Sequence, residues 1–345
     1  MLQELDHLPA GLLEADSRDL CRCLGGPTLI HLPGARQPPL FVCVLLHGNE
    51  TVGWDAIRGL LRERLARDGE LRLPRALSLF IGNVAAAAQG VRHLPDQPDY
   101  NRVWPGGDLP HMPETELMAA VVERMTRRGV FASIDLHNNT GTNPHYACVE
   151  RLDSRTLQLA TLFARTLVYF TGASGVQSDA FADLCPAVTL ECGKVGETAG
   201  LNHARTLLDA ALHLVAVPDH PVAPHDIDLF HTVARVLVPP GVSLAFAPAE
   251  ADLLLDPEIE RWNFREVPRG TAVARVRDPA LGVGFEVFNE GGKDIAERFF
   301  HLEDGEVRLR RPAIPAMFTR DLAIIRQDCL CYLLERYNDH VPGRG

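Results

Sequence analysis

The 345-residue chain contains no run of about 18 or more uncharged apolar residues, so no membrane span is expected. Its first residues, Met-Leu-Gln-Glu-Leu-Asp-His-Leu, are acidic where a secretory leader would be basic, and no long apolar segment follows them. A cytoplasmic protein is the simplest expectation. Positive charge is in deficit: 34 Lys and Arg stand against 45 Asp and Glu, a formal net of -11. Such a field repels nucleic acid and anionic membrane, so neither is an expected partner. Zinc-ribbon pairs of the form C-x-x-C are also missing. Cys21/Cys23 and Cys329/Cys331 are C-x-C pairs, and Cys43, Cys148 and Cys192 sit in apolar, strand-like stretches, the pattern of reduced structural thiols. Internal repeats and low-complexity tracts are absent.

Several catalytic signatures are missing too. There is no G-x-S-x-G elbow, which disfavours a serine hydrolase, and no G-x-x-x-x-G-K-[ST] loop, which disfavours nucleotide hydrolysis. H-E-x-x-H does not occur, and Gly282-Val283-Gly284 lacks the third glycine of a dinucleotide fingerprint. What remains is a globular composition, 46% hydrophobic and 23% charged, long enough for about two domains.

A strand and helix alternation fills the first two thirds. Phe41 to Leu46 is a continuous apolar run, as expected of a strand buried on both faces, and His47-Gly48-Asn49-Glu50 follows at once. From Thr51, Trp54, Ile57, Leu60, Leu61 and Leu65 recur at helical spacing. Strands are expected at Thr28–Leu32, Ala76–Ile81, Phe131–Leu136 and Ala187–Leu190, and helices at Thr115–Arg128, Ser154–Tyr169 and Thr198–Val215. This order predicts an α/β fold, a largely parallel or mixed sheet sandwiched by helices, with ligands bound beyond the carboxyl ends of strands. Pro218, Pro221 and Pro224 mark a linker, and the segments beyond are short, β-branched and punctuated by Pro and Gly. The expected division is a catalytic domain at 1–218 and a smaller, mainly β domain at 219–345, with a closing helix from Arg320 to Tyr337.

The strand ends carry the residues able to do chemistry. His47 and Glu50 are three apart in a turn leaving a strand, so an imidazole and a carboxylate can converge on one ion. His137 follows Ile134-Asp135-Leu136, and Glu191 follows Val188-Thr189-Leu190. Two histidines and one glutamate suit zinc with a position open to water, and a second glutamate outside the set can serve as base. Asp135, two residues before His137, shares its face if the strand persists and can orient the imidazole.

Four segments then carry a resemblance. His47-Gly48-Asn49-Glu50, Asn101-Arg102-Val103-Trp104-Pro105-Gly106, Asp135 to Gly141, and Leu190-Glu191-Cys192-Gly193 stand in the order and spacing of the succinylglutamate desuccinylase/aspartoacylase family, within the wider zinc-carboxypeptidase-like group. The match covers roughly residues 40–200. The resemblance implies one zinc per chain, bound by His47, Glu50 and His137, with Glu191 as general base and proton shuttle. It makes Asn101 and Arg102 the grip on a substrate carboxylate and Arg92 the cation that polarises the scissile carbonyl. A planar guanidinium suits both tasks.

Besides a Pro-containing stretch from Arg92 to Asn101 that is somewhat longer than in aspartoacylase, the chain departs from the family in two places. Tyr100 precedes the Asn-Arg pair where the family usually has Leu, and Phe181-Ala182-Asp183 stands where aspartate-specific enzymes carry an arginine. The second departure argues against N-acetylaspartate and leaves Phe181 and Trp104 as aromatic contacts or core. The expected activity is hydrolysis of an amide in a small carboxylate-bearing substrate, an N-acyl amino acid. The alternatives are a carboxypeptidase acting on short peptides and a non-catalytic zinc- or ligand-binding descendant. The acyl group, the amino acid and the oligomeric state, homo-oligomer included, are not legible.

Overall fold

The computed structural model describes residues 1–170 and 174–337. Its strands are β1 (Gln3–Leu5), β2 (Thr28–Leu32), β3 (Leu40–Val44), β4 (Leu77–Ile81), β5 (Ala132–Asn139), β6 (Tyr146–Val149), β7 (Thr166–Tyr169), β8 (Ala187–Lys194) and β9 (Asp228–Leu237). They continue with β10 (Leu244–Phe246), β11 (Leu253–Leu255), β12 (Ala272–Val276), β13 (Glu286–Phe288), β14 (Phe300–Glu303), β15 (Glu306–Leu309), β16 (Ile314–Ala316) and β17 (Cys331–Arg336). The helices are α1 (Leu20–Leu24), α2 (Val52–Asp68), α3 (Val84–Gln89), α4 (Pro113–Arg128), α5 (Ser154–Thr161), α6 (Gln177–Ala182), α7 (Thr198–His213), α8 (Ala296–Phe299) and α9 (Leu322–Gln327).

A twelve-stranded mixed sheet in the order β1-β2-β4-β3-β5-β8-β6-β7-β9-β17-β16, with β13 beside β9, forms the centre. Its middle strands β4, β3, β5 and β8 are parallel neighbours. Alternation along β3 shows why the expected continuous apolar run is needed. Leu40, Val42 and Val44 join a core with Trp54, Ile57 and Leu61 of α2 and Leu207, Leu208 and Ala211 of α7. Phe41 and Cys43 point the other way, to Leu117, Met118 and Val121 of α4 and Phe181 of α6. Both faces of the strand are therefore dry, and helices cover the sheet on each side. Among the described residues no helix is long and apolar enough to cross a membrane, and none of the eight cysteines is disulfide-bonded.

The strands after Pro218 divide between two sheets. β9, β13, β16 and β17 extend the central sheet, while β10, β11, β12, β15 and β14 make a separate five-stranded one. A second core lies among them, built on Val236, Leu253, Val273, Phe299, Val307 and Leu333.

Two expected helices are corrected. The segment Ser154–Tyr169 is helical only to Thr161, and Thr166–Tyr169 is β7, pairing with β6 on one side and β9 on the other. The β-branched and aromatic run Thr-Leu-Val-Tyr fits a pleated strand, and the pairing overrides the helical spacing of its apolar residues. The segment Arg320–Tyr337 is helical only over Leu322–Gln327. The chain turns at Asp328 (φ -122, ψ -92) and Cys331–Arg336 becomes β17 against β9. Cys331-Tyr332-Leu333-Leu334 is buried throughout, and such a run serves a strand dry on both faces as well as a helix.

Candidate metal centre

The turn after β3 starts with strain. Leu45, fully buried, adopts φ 56, a left-handed conformation uncommon outside glycine. Gly48 then donates its backbone N–H to the Arg92 carbonyl at 3.0 Å, tying the turn to the segment after α3. A Cβ on Gly48 would lie 2.2 Å from the Ala87 nitrogen, so only glycine lets the turn pass this close to α3.

His137 and Glu191 were expected just after their strands. They lie within β5 and β8, which run on to Asn139 and Lys194, and they are register partners. The Nδ1 atoms of His47 and His137 approach to 3.2 Å, and both converge on Glu50: His47 Nδ1 is 2.9 Å from Oε1 and His137 Nδ1 2.8 Å from Oε2. These three buried side chains form, among the described residues, the group able to hold a metal ion, with ligand atoms all within 4.8 Å of one another.

The far side of each ring explains that convergence. His47 Nε2 is 2.8 Å from Asp99 Oδ1, and His137 Nε2 is 2.7 Å from Asp135 Oδ2. An ionised carboxylate only accepts, so each Nε2 carries a hydrogen and donates it, leaving Nδ1 as the atom facing Glu50. In neutral rings the two Nδ1 lone pairs and the Glu50 oxygens would then crowd one point, an arrangement that calls for positive charge. Burial lowers both imidazoles, but Asp99 and Glu50 outweigh it at His47, and Asp135 and Glu50 hold His137 well above the usual histidine range. Glu50 in turn is held far below the carboxylate range: burial would raise it, but the two histidines prevail.

Asn138 fastens the ligands together. Its N–H donates to Glu50 Oε2 (3.1 Å), its Nδ2 donates to the Gly193 carbonyl (2.9 Å), and its Oδ1 accepts from Val52 N–H at the start of α2 (3.1 Å). Beside it, Glu191 is buried, and its Oε2 has no hydrogen-bond partner among the described residues. Burial pushes its carboxyl up to about 7; the Glu50 charge adds to this, and His137 and His47 oppose it.

Arg92 donates through Nε and Nη2 to Asp99 Oδ2 (3.2 and 2.9 Å) and through Nη1 to Glu50 Oε1 (3.4 Å). Asn101 places Nδ2 3.4 Å from His137 Nε2, and Arg102 donates to the Asn101 carbonyl at 2.8 Å. His47, Glu50, Arg92, Asn101, Arg102, His137 and Glu191 line one cavity, with Asp135 behind His137 and outside that lining. Phe181 and Trp104, by contrast, are core. Phe181 stacks on Phe41 at 4.6 Å, and Trp104 packs edge-on against it.

Sequence reasoning missed Asp99, Asn138, Asp328 and Glu150. Asp99 stands two residues before Asn101, a carboxylate beside a flagged pair, and that was its only signal. Asp328, at the end of α9, lies 3.6 Å from Arg92 and 3.5 Å from both Arg102 and Arg235, so one acidic side chain from the far end of the chain faces three guanidinium groups.

Residues 37–217 match the succinylglutamate desuccinylase/aspartoacylase catalytic domain. The chain belongs to this family. The family consists of amide-bond-cleaving deacylases, so the coarse class of the protein is hydrolase. Solved structures share the fold. The succinylglutamate desuccinylase of Chromobacterium violaceum is 20% identical over 88% of this chain and 86% of that one, with a TM-score of 0.55. The corresponding Vibrio parahaemolyticus protein is 15% identical over 89% and 86%, with a TM-score of 0.59. Murine aminoacylase 3 is 18% identical over 88% and 97%, with a TM-score of 0.55. No curated protein sequence matches the chain.

Proposed function

We propose that this chain is a zinc-dependent hydrolase that cleaves the amide bond of a small carboxylate-bearing substrate, an N-acyl amino acid. The observation that carries the reading is the meeting of His47, Glu50 and His137 on one point beside an unpartnered, buried Glu191 oxygen. The donor set fits zinc: two imidazole nitrogens and one carboxylate, each imidazole oriented by an aspartate behind it. Zinc held by these residues would supply Lewis-acid polarisation of the carbonyl and lower the pKa of water toward 7.

The chain's own groups do the rest. Glu191 Oε2, with no hydrogen-bond partner among the described residues, takes the proton of the attacking water and passes it to the leaving amine. Arg92 presents a fixed cation where negative charge gathers on the carbonyl oxygen. Asn101 and Arg102 receive the substrate carboxylate, and Arg102 does so beside Asp328, which already draws on its charge. Catalysis falls to residues 1–218, while 219–345 shape the cleft through lining residues such as Met317, Asp328 and Tyr332. The names of the similar structures, desuccinylases and an aminoacylase, support deacylation over peptide trimming. Eight unpaired cysteines support a reducing, cytoplasmic setting.

A hydrolysis screen over N-acyl amino acids and dipeptides with zinc-supplemented protein tests the reading. Turnover of acyl amino acids in preference to dipeptides is expected. Turnover of dipeptides alone would make it a carboxypeptidase, and zinc binding with no turnover at all would make it a binding protein.

A further inference from the structure

The cavity extends well past the metal centre, and its floor is one face of the central sheet. β6 runs antiparallel to β8 with Tyr146 opposite Glu191. Tyr146, Cys148 and Glu150 alternate onto that face, and all three line the cavity together with Val168, Phe170 and Thr189. Glu150 is four residues beyond Tyr146, so it lies roughly 13 Å along the strand from the catalytic end. Between the two ends the surface is mostly apolar and aromatic.

At the far end a carboxyl stands without a cation beside it among the described residues. Glu150 accepts a hydrogen bond from the Ser178 hydroxyl (3.2 Å) and has no ion-pair partner among the described residues. Burial, with the Asp179 charge adding to it, pushes its carboxyl up to about 8. A half-buried acid that no cation reaches among the described residues, at the end of a mostly apolar slot, is a place where a cation brought in by a ligand completes the pairing. Once ionised, Glu150 opposes an anionic group there.

Building on the hydrolase reading above, we propose that this slot receives the acyl group of the substrate, and that the acyl group is an extended aliphatic chain ending in a primary amine bound by Glu150. A dicarboxylic acyl group such as succinyl is thereby disfavoured. The carboxylate of the substrate stays at Asn101 and Arg102, the amide lies over His47, Glu50 and His137, and the aliphatic chain runs along β6 to Glu150, which makes Glu150 a specificity-determining residue.

The test compares three acylglycines of similar length with zinc-supplemented wild type and Glu150→Gln: 6-aminohexanoyl, heptanoyl and adipoyl. In the wild type, kcat/KM for the amine-tipped compound should exceed that for heptanoyl by about tenfold, the scale of one charge-assisted hydrogen bond, with adipoyl last. In Glu150→Gln that advantage should vanish through KM, while heptanoyl kinetics stay within about twofold, a separation that a merely structural role would not give. Equal rates for amine-tipped and neutral compounds, a preference for adipoyl, or an equal loss on all three in the variant would overturn the proposal. If no compound is turned over, the hydrolase reading fails, and calorimetric binding of the same three compounds decides the slot separately. Tighter binding of the amine, lost in Glu150→Gln, upholds it, and equal binding refutes it.

Discussion

Asp99 is the residue on which the centre's geometry most depends without being one of its ligands. Its Oδ1 accepts from His47 Nε2 (2.8 Å) and from the Asn101 N–H (2.7 Å), and its Oδ2 accepts from Nε and Nη2 of Arg92. Asp99→Asn keeps the shape and can keep the two bonds at Oδ1, but it sets an amide NH2 against the Arg92 donors. Two charge-assisted hydrogen bonds are lost, each worth about 1.5–3 kcal/mol. Glu50 and Asp328 still face Arg92 at 3.4 and 3.6 Å and offset part of that loss. A net destabilisation of about 2–4 kcal/mol is expected in urea unfolding of the metal-free protein at pH 7. With the negative charge behind His47 gone, zinc affinity should fall about 10- to 100-fold in a competitive chelator titration. The pH dependence has a definite sign. The neighbouring His47 and Arg92 overcome burial and hold Asp99 well below the usual carboxylate range, so its stabilisation is present above the unfolded carboxyl pKa and is lost as pH falls toward the folded value. The variant should therefore differ most from wild type at neutral pH and converge with it in acid. Unchanged stability and zinc affinity at pH 7 would refute the argument.

Other expectations follow from the same geometry. Gly48→Ala places a methyl group 2.2 Å from the Ala87 nitrogen and 2.3 Å from the Ala86 carbonyl carbon, and should cost about 3 kcal/mol in urea unfolding as α3 is displaced; wild-type stability would contradict the close approach. Asp328→Asn frees Arg102 from a competing carboxylate and should lower KM for an acyl amino acid several-fold, whereas a raised KM would show that Asp328 holds the arginine in place for substrate. Glu150 has a raised folded pKa, so its contribution is fully present below the unfolded value near 4.3 and is lost as pH rises through about 8. Thermal unfolding of Glu150→Gln should accordingly gain on wild type between about pH 5 and 8.5; parallel curves would place the carboxyl in water.

What was legible in the sequence, and what was not, follows from the range of the interactions. The run Phe41–Leu46 announces a doubly buried strand because alternate residues feed two different cores, and the polar turn after it stands out for the same reason. His47 and Glu50 are local neighbours, and His137 and Glu191 end up opposite each other because β5 and β8 pair in register, so strand-end placement was enough to group them. Asp328 reaches Arg92 across more than 200 residues of chain, and no spacing rule connects them. Glu150 belongs to no motif in the sequence, and only the cavity it lines and the lack of a cation beside it among the described residues give it meaning. β7 and β17 were read as helix because short apolar runs fit both periodicities, and only their partner strands decide between the two.

The central claim, a metal-assisted hydrolase with Glu191 as its base, is tested most directly by measuring zinc content and N-acyl amino acid hydrolysis in wild type and Glu191→Gln side by side. The account predicts about one zinc per chain in both proteins, with turnover in the wild type reduced by about 100-fold or more in the variant. Wild type that hydrolyses the amide without zinc, or a variant that hydrolyses it as fast as wild type, would contradict it.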